Sequence, residues 1–333
     1  MSAKPQTESV EAVDAPPFGL LDVAVLGVIL IWGGNFTIVK YAFDEIQPLI
    51  FNALRFTLAA ALMCAIVRLG GGDLRVARRD WPRLVVLALI GNGLHQIGFV
   101  KGLALTRVGN SSLLIATSPI FIALLGAAIG IERITRRMWL GIALSFIGMA
   151  VVIAHTGQGL SLGSETLLGD LLSLSAAATW AIYAVYSRPL LLRYAPLKFT
   201  ALTMAIGAPF LWLSAIPELR VQSWAAISWR GWGGVAFSFM FSLCLGYLIY
   251  YRAMQRIGNA RTSNYNNLMP VVAFVVAALT LREPIAAGQV LGAAVILVGI
   301  YLTRTGERSA LSRRGEGLSF PLWGKVAGRR PDG

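Results

Sequence analysis

Ten apolar stretches of about 20 residues recur along the chain between short polar connections. A helix of that length crosses the roughly 30 Å hydrocarbon core of a bilayer. The composition agrees, because 56% of the residues are hydrophobic and only 14% are charged. The sequence therefore predicts an all-α integral membrane protein with ten transmembrane helices, at residues 21–42, 49–68, 83–105, 109–130, 138–155, 169–189, 198–216, 231–252, 259–281 and 285–303.

The second half of the chain repeats the first. Corresponding positions lie 148 to 151 residues apart: Trp32 and Trp180, Lys40 and Arg188, Arg107-Val-Gly-Asn and Arg256-Ile-Gly-Asn, Pro119 and Pro270, Glu132 and Glu283, Gly141 and Gly292, Gly148 and Gly299. Each copy contains five predicted helices. Because five is odd, the second copy must enter the membrane from the opposite face, which predicts two inverted-topology five-helix repeats, an arrangement typical of transporters.

The repeats divide the chain into five parts. Residues 1–17 and 305–333 are predicted to be disordered cytoplasmic tails, since neither has sustained apolar periodicity and the second is basic. The first repeat is predicted at 18–155 and the second at 169–304, joined by an outer linker at 156–168. The polar, mildly acidic start and a full-length first apolar stretch favour a retained helix over a cleaved signal peptide.

Basic residues are distributed unequally between alternate connections. One side holds fourteen Lys and Arg residues and the other holds six. Since positively charged loops stay in the cytoplasm, both termini are predicted to be cytoplasmic, in a bacterial inner membrane. The same asymmetry, with attraction to anionic lipid headgroups, accounts for the net charge of +13, so no nucleic-acid partner is expected.

Matched prolines interrupt the fourth and ninth predicted helices. Pro119 and Pro270 each lie about ten residues into a helix, near the bilayer midplane, and each removes a backbone donor, leaving the carbonyls of Ile115 and Asn266 in need of partners. Paired helix breaks in inverted repeats predict the substrate site. Polar residues precede both prolines: Asn110, Ser111, Ser112, Thr117 and Ser118 in one copy, and Thr262, Ser263, Asn264, Tyr265, Asn266 and Asn267 in the other. They bind substrate or, alternatively, join helices and cap the freed carbonyls.

Further polar candidates lie on the first three helices. His95 and Gln96 are at the centre of the third helix, and His95 is either a coupling-proton carrier or a neutral structural residue. Arg55 lies near Asn52 and could face Asn35 of the first helix. It either receives a substrate carboxylate or has a structural role, paired with Asp44, Glu45 or a helix end.

Six aromatic residues on the first, sixth and eighth predicted helices form either one cavity wall or ordinary core packing. They are Trp32, Trp180, Tyr183, Tyr186, Tyr247 and Tyr250.

Carboxylates and cysteines carry little predicted function. Asp22 and Asp170 begin predicted helices, and Glu132 and Glu283 end them, so no carboxylate is expected deep in the membrane. That weakens a proton-antiport mechanism built on a buried acid. Both cysteines lie inside predicted helices, where no disulfide framework forms, and no metal or cofactor is expected.

The motifs together resemble the drug/metabolite transporter superfamily, and most closely its EamA-type branch. They are Trp32-Gly-Gly-Asn35, Leu54-Arg55-Phe56, Pro119 followed by Gly130-Ile-Glu132-Arg133, and Pro270 followed by Leu281-Arg-Glu283-Pro, in a match over about residues 20–304. The resemblance implies a single chain of two inverted repeats around a central cavity. It also implies export of small metabolites such as amino acids, while the membrane glutamate of small four-helix relatives has no counterpart in the first helix here.

The functional prediction is a monomeric exporter of a small polar or amphipathic metabolite, working by alternating access, with a coupling proton as a further partner. The predicted substrate-binding residues are His95, Gln96, Asn35, Arg55, Tyr183, Asn264, Asn266 and Asn267. One alternative is a passive facilitator or lipid-moving protein. Another is an intramembrane enzyme, which is disfavoured because the sequence has no H-E-x-x-H or G-x-S-x-G pattern.

Overall fold

The computed structural model describes residues 19–129, 135–155, 165–257, 265–282 and 286–312. Across these ranges the regular structure is helical throughout, in ten successive helices. They are α1 (Leu20–Ala42), α2 (Pro48–Leu69), α3 (Trp81–Ala88, Leu89–Leu94 and His95–Leu105), α4 (Val108–Ile115 and Ser118–Ala128), α5 (Arg136–Ala154), α6 (Glu165–Leu191), α7 (Pro196–Leu219), α8 (Trp229–Phe237, Ser238–Leu245 and Gly246–Ile257), α9 (Asn266–Leu268 and Met269–Thr280) and α10 (Ala287–Ser312). Within the described ranges, seven are long and apolar enough to cross a membrane, and α9 and α10 contain shorter apolar segments. The all-helical membrane fold is confirmed.

Helix packing follows the duplication. α2 packs on its counterpart α7, and α5 packs on its counterpart α10. α1 packs on α8 and α9 of the other repeat, just as α6 packs on α3 and α4. The first helix of each repeat therefore packs on the third and fourth helices of the other repeat, as expected of two inverted copies related by a pseudo-twofold axis in the membrane plane.

Small residues allow the helices to approach closely. A Cβ added at Gly148 of α5 would lie 2.8 Å from the carbonyl oxygen of Gly292 on α10. One added at Gly102 of α3 would lie 2.8 Å from the backbone nitrogen of Ser173 on α6. In lipid, where apolar burial gives helices little reason to associate, such backbone contact is a main source of packing energy.

Polar contacts fasten the two ends of the bundle. At the end of the bundle where α1 ends and α10 begins, Lys101 of α3 bridges to Glu218 of α7 at 2.5 Å, and Glu218 accepts a hydrogen bond from the backbone N–H of Leu49 at 2.7 Å. Lys40 of α1 donates to the carbonyl oxygens of Leu103, Ala104 and Thr106, which caps the end of α3.

At the other end, where α1 begins and α10 ends, Arg193 and Tyr194 bind the carboxylate of Asp80 at 2.6 and 2.8 Å. Asp73 pairs with Lys198 at the same end. We call the two ends the distal face and the terminal face.

The third and eighth helices each contain a π-helical segment at matched positions. It spans Leu89–Leu94 in α3 and Ser238–Leu245 in α8. The π-helix is rare and is frequent at functional sites, because it widens the helix and redirects side chains. In α3 the segment ends directly before His95.

Candidate functional site

Arg55 forms the centre of a buried polar group between α2 and α3. Its side chain is 2% exposed, and no carboxylate pairs with it among the described residues. Nε donates to Asn52 Oδ1 at 2.9 Å, and Nη2 donates to Gln96 Oε1 at 2.9 Å. The expected pairing with Asp44 or Glu45 is wrong, since the Glu45 carboxylate instead accepts hydrogen bonds from Ser228.

Aromatic rings surround the Arg55 guanidinium. Its central carbon lies 5.8 Å from the ring centroid of Phe51, 5.5 Å from that of Phe56 and 5.3 Å from that of Phe99. These cation–π contacts partly replace lost hydration but supply no net negative charge. The site is a buried cation without a counter-ion in the described part of the chain.

His95 connects this group to α6. Its Nδ1 lies 2.9 Å from the carbonyl oxygen of Ala176. Because a carbonyl oxygen can only accept, Nδ1 carries the proton, and the neutral ring presents Nε2 as an acceptor. Nε2 has no hydrogen-bond partner within the described ranges. The His95 ring packs on Trp180, which packs on Tyr183, at centroid distances of 5.1 and 5.3 Å.

Glycine in the α3 π-segment makes room for this stack. A Cβ at Gly91 would lie 2.2 Å from Cδ2 of Tyr183. Gly91 thus lets the Tyr183 ring lie against the backbone of α3, where the ring continues the stack of His95 and Trp180.

A second aromatic group lies at the pseudo-symmetric contact, where α1 packs on α8. The Trp32 ring centroid is 5.8 Å from that of Tyr247 and 5.1 Å from that of Tyr250, both on α8. Asn266 of α9 donates to the Tyr250 hydroxyl at 2.8 Å, while its own Oδ1 is buried without a partner in the described structure. The aromatic residues thus make two groups, each formed between the two repeats, one where α6 meets α3 and one where α1 meets α8, with Trp180 and Trp32 in matched roles. Tyr186 is 39% exposed on the outside of α6.

Asn35 lies elsewhere than expected relative to Arg55. Its Oδ1 accepts a hydrogen bond from Ser238 at 2.6 Å, at the start of the α8 π-segment. Asn35 therefore joins α1 to α8, whereas Arg55 joins α2 to α3.

The fourth and ninth helices are irregular just before their prolines. α4 stops at Ile115 and resumes at Ser118, and the Ser118 hydroxyl donates to the freed carbonyl of Ile115 at 2.6 Å. In α9 a 3₁₀ turn, Asn266–Leu268, precedes the segment that contains Pro270. Asn267 lies in this turn, while Asn264, Glu132 and Glu283 lie outside the described residues.

Four carboxylates are buried in the described structure, those of Asp22, Asp80, Asp170 and Glu218, and two of them belong to the aspartates that were predicted to begin helices. Asp170 is 0% exposed and Asp22 is 1% exposed. The Asp170 carboxylate accepts a hydrogen bond from the Thr106 hydroxyl, and that of Asp22 accepts one from the Tyr265 hydroxyl. α6 begins at Glu165, four residues before its predicted start, so Asp170 is the sixth residue of the helix and lies inside the bundle.

Sequence reasoning also missed Asn92 and Ser238, whereas it did place Asn52 near Arg55. Asn92 lies in the α3 π-segment, is 6% exposed, and has no partner for Nδ2 among the described residues. Its flanking glycines were the available signal, because Gly91-Asn92-Gly93 is unusual inside a membrane helix. No group of three or more potential metal-ligating side chains occurs in the described ranges.

The arrangement combines a buried cation, a neutral imidazole acceptor and two aromatic groups. Such a set can bind a small zwitterion, since the guanidinium matches a carboxylate and the imidazole acceptor matches an ammonium group. Nothing in the set resembles a nucleophile held by a base.

Comparison with known proteins agrees with this geometry. The model of the EamA-like transporter family matches twice, at residues 20–154 and 167–305. The "Uncharacterized transporter YyaM" of Bacillus subtilis (strain 168) is 32% identical over 290 residues, which cover 85% of this chain and 93% of that protein. A "Probable amino-acid metabolite efflux pump" of Salmonella typhimurium is 28% identical over 305 residues, covering 87% of this chain and 96% of that protein.

A solved crystal structure shares the fold, with a TM-score of 0.62 over 87% of this chain and 98% of the other at 19% identity. The two family matches fall on the two five-helix repeats, and the relatives are transporters by name. The chain belongs to the EamA-like transporter family.

Proposed function

We propose that this transporter exports small α-amino acids or closely related zwitterionic metabolites. The observation that carries the proposal is Arg55, a buried guanidinium with no carboxylate against it in the described residues. A buried charge is costly unless it is paired, and a substrate carboxylate would pair it. The efflux pump of Salmonella typhimurium, named for amino-acid metabolites, adds support from a relative.

Each polar group has a distinct part in recognition. Arg55 binds the carboxylate, and Gln96 and Asn52 hold the guanidinium in place through its Nη2 and Nε. His95 accepts a hydrogen bond from the substrate ammonium through Nε2, since Nδ1 is committed to Ala176. The aromatic groups around Trp32 and Trp180 contact the apolar side chain, and Asn266 adds a polar group on α9. Asn264 and Asn267 are proposed as further substrate contacts from the sequence alone.

Transport follows from the inverted repeats. The two repeats rock about the midplane site, with the breaks at Pro119 and Pro270 as the points where α4 and α9 bend. The protein acts as a monomer in the bacterial inner membrane, with both termini in the cytoplasm, as the distribution of basic residues predicts. The distal face is then the outer face.

Ligand pairs that differ only in the carboxylate test the proposal. Purified protein is screened by thermal shift against L-leucine and L-leucinamide, because a ligand that binds the folded state raises its apparent melting temperature. We expect L-leucine to stabilise the wild type, and L-leucinamide to bind about 10- to 100-fold more weakly. Arg55→Gln should remove the difference between the two ligands.

Leu54→Ala, on the neighbouring half-buried position of α2, is the matched control and should keep the preference for the acid. Equal stabilisation by both ligands in the wild type would contradict the role of Arg55. A panel in which no amino acid stabilises the protein, while cationic compounds do, would contradict the substrate class.

A further inference from the structure

Asp170 is a buried acid that the proposed site does not use. It is the sixth residue of α6, roughly 8 Å along the helix from Glu165, and its side chain is 0% exposed. It is therefore beyond the first turn, where free backbone N–H groups could stabilise its charge. Gly169 makes the burial possible, because a Cβ there would lie 2.8 Å from the backbone nitrogen of Thr106.

The carboxylate is only half satisfied. Oδ1 accepts a hydrogen bond from the Thr106 hydroxyl at 2.6 Å, whereas Oδ2 has no partner in the described structure. The Asn110 amide lies close enough to the carboxyl group to favour its negative charge, although Nδ2 makes no hydrogen bond of good geometry in the described structure. The Asn110 Oδ1 is occupied by Gln289 at 2.7 Å. Ser173 lies one turn further along α6, and its hydroxyl is 3.0 Å from that of Ser111 on α4. Both serines are buried, and they complete the polar cluster around Asp170.

No cation neutralises Asp170 within the described ranges. None of the charged groups on the packed elements forms an ion pair with Asp170 in the described structure. Lys40 of α1 binds the carbonyl of Thr106, and Lys101 of α3 binds Glu218. Arg107 follows Thr106 in the α3–α4 connection, and Glu165 is exposed at the start of α6.

The pseudo-symmetric acid shows what a satisfied site looks like. Asp22 lies 148 residues before Asp170. Its Oδ1 accepts from the Tyr265 hydroxyl at 2.7 Å and its Oδ2 from the N–H of Gly19 at 2.9 Å. Both oxygens of Asp22 are thus bonded near a helix N-terminus, where a negative charge is favoured. Asp170, by contrast, has a hydrogen bond to only one of its oxygens, and it lies beyond the first turn of its helix.

We propose that Asp170 is a proton-binding site that couples proton movement to transport. A proton from the distal aqueous phase is transferred from hydronium to Oδ2, forming the O–H bond and leaving water. The cluster suits a proton better than a metal ion, which needs several free converging oxygens. Here the Asn110 oxygen and the serine and threonine hydroxyls are already engaged. This coupling role rests on the proposed function for its cargo, but the binding of the proton does not.

Infrared titration of the purified protein tests proton binding without a substrate. Every one of the sixteen Asp and Glu side chains gives a C=O stretch when protonated, so the band to follow is the one that remains after the exposed carboxylates have ionised and disappears only as pH rises further. Asp170→Asn should abolish this band, and the matched control Asp22→Asn should retain it. A wild-type spectrum whose titrating band survives in Asp170→Asn would overturn the proposal.

Proteoliposomes test coupling, with L-leucine as the probe. Asp170→Asn should lose leucine accumulation driven by a pH gradient by about tenfold or more, while leucine–leucine exchange stays within about twofold of wild type. Gradient-driven accumulation that persists in Asp170→Asn would overturn the coupling role. If wild-type protein moves no leucine at all, the proposed function fails while the infrared result still decides proton binding.

If Asp170→Asn folds poorly, Thr106→Val provides a second test of proton binding by Asp170. The valine retains the shape of threonine but removes the one hydroxyl that stabilises the ionised form, so the midpoint of the infrared titration should move to higher pH. An unchanged midpoint would contradict Asp170 as the titrating group.

Discussion

At the scale of single residues, the interactions of Arg55, His95 and Gln96 depend on neighbours that are distant in sequence. The sequence identified all three as membrane-embedded polar groups, because a charge or imidazole inside an apolar stretch stands out without any structure. It did not identify their partners. Gln96 reaches Arg55 across 41 residues, and His95 reaches Ala176 across 81. The burial of Asp170 was not predicted, because hydropathy locates the apolar part of a helix but not the polar residues by which the helix extends before it.

Glu45 gives a prediction at this scale. Its carboxylate accepts hydrogen bonds from the side chain and the backbone N–H of Ser228, which caps α8. These bonds, with Arg230 nearby, hold the pKa of Glu45 below its usual value. A lowered folded-state pKa means that the stabilisation is present above the unfolded-state pKa, about 4.3, and is lost as pH falls through the folded value.

We therefore expect Glu45→Gln to lower the apparent melting temperature at pH 7 and to match the wild type at strongly acidic pH. The measurement is a thermal melt of both proteins in detergent across this range. Asp44→Asn is the control, since Asp44 is exposed and its side chain has no hydrogen bond in the described structure. A deficit in Glu45→Gln that is constant with pH would show that packing, and not the charge, is responsible.

At the scale of elements, hydropathy located the helices but not their internal geometry. The second helix was predicted at 49–68 and spans Pro48–Leu69. The π-segments of α3 and α8 were not predicted, because a π-helical turn gives up regular hydrogen bonding in return for tertiary contacts. Glycines mark the segment in α3, yet Ser238–Leu245 in α8 contains none. The relative position of His95 and Tyr183 depends on tertiary contacts of this kind, because the Tyr183 ring packs against Gly91 in the α3 π-segment.

The contact between α1 and α9 gives a prediction about close helix packing. A Cβ at Gly33 would lie 2.6 Å from Cγ1 of Val272 and 3.1 Å from the backbone nitrogen of Ala273. Gly34, the next residue, has nothing within 4 Å. Gly33→Ala should lower stability by about 1–3 kcal/mol, because the helices must separate or shift. Gly34→Ala should be neutral or stabilising by up to about 1 kcal/mol, since alanine favours the helix.

Denaturant or thermal unfolding of the two variants in one detergent makes the comparison. A Gly33→Ala protein as stable as Gly34→Ala would show that α1 and α9 do not touch through this glycine in solution.

At the scale of the whole molecule, duplication determines more than any single motif. The odd number of helices per repeat predicts the inversion, and the exchange of contacts between α1 with α8 and α9, and α6 with α3 and α4, is its structural counterpart. What duplication cannot predict is divergence between the copies. His95 and Gln96 on α3 correspond to Cys244 and Leu245 on α8, so one repeat carries the polar recognition groups and the other is more apolar.

Matched loops in the two repeats provide the test of inversion. Ala77 precedes α3 and Ala225 precedes α8, 148 residues apart, and both are exposed. In a background without Cys64 and Cys244, Ala77→Cys should react with a membrane-impermeant maleimide only after the cells are permeabilised. Ala225→Cys should react in intact cells, because inversion places the same loop on the opposite side of the membrane. Labelling of both cysteines from the same side would mean that the repeats are parallel, and a single midplane site opened alternately by two opposed halves would then have no structural basis.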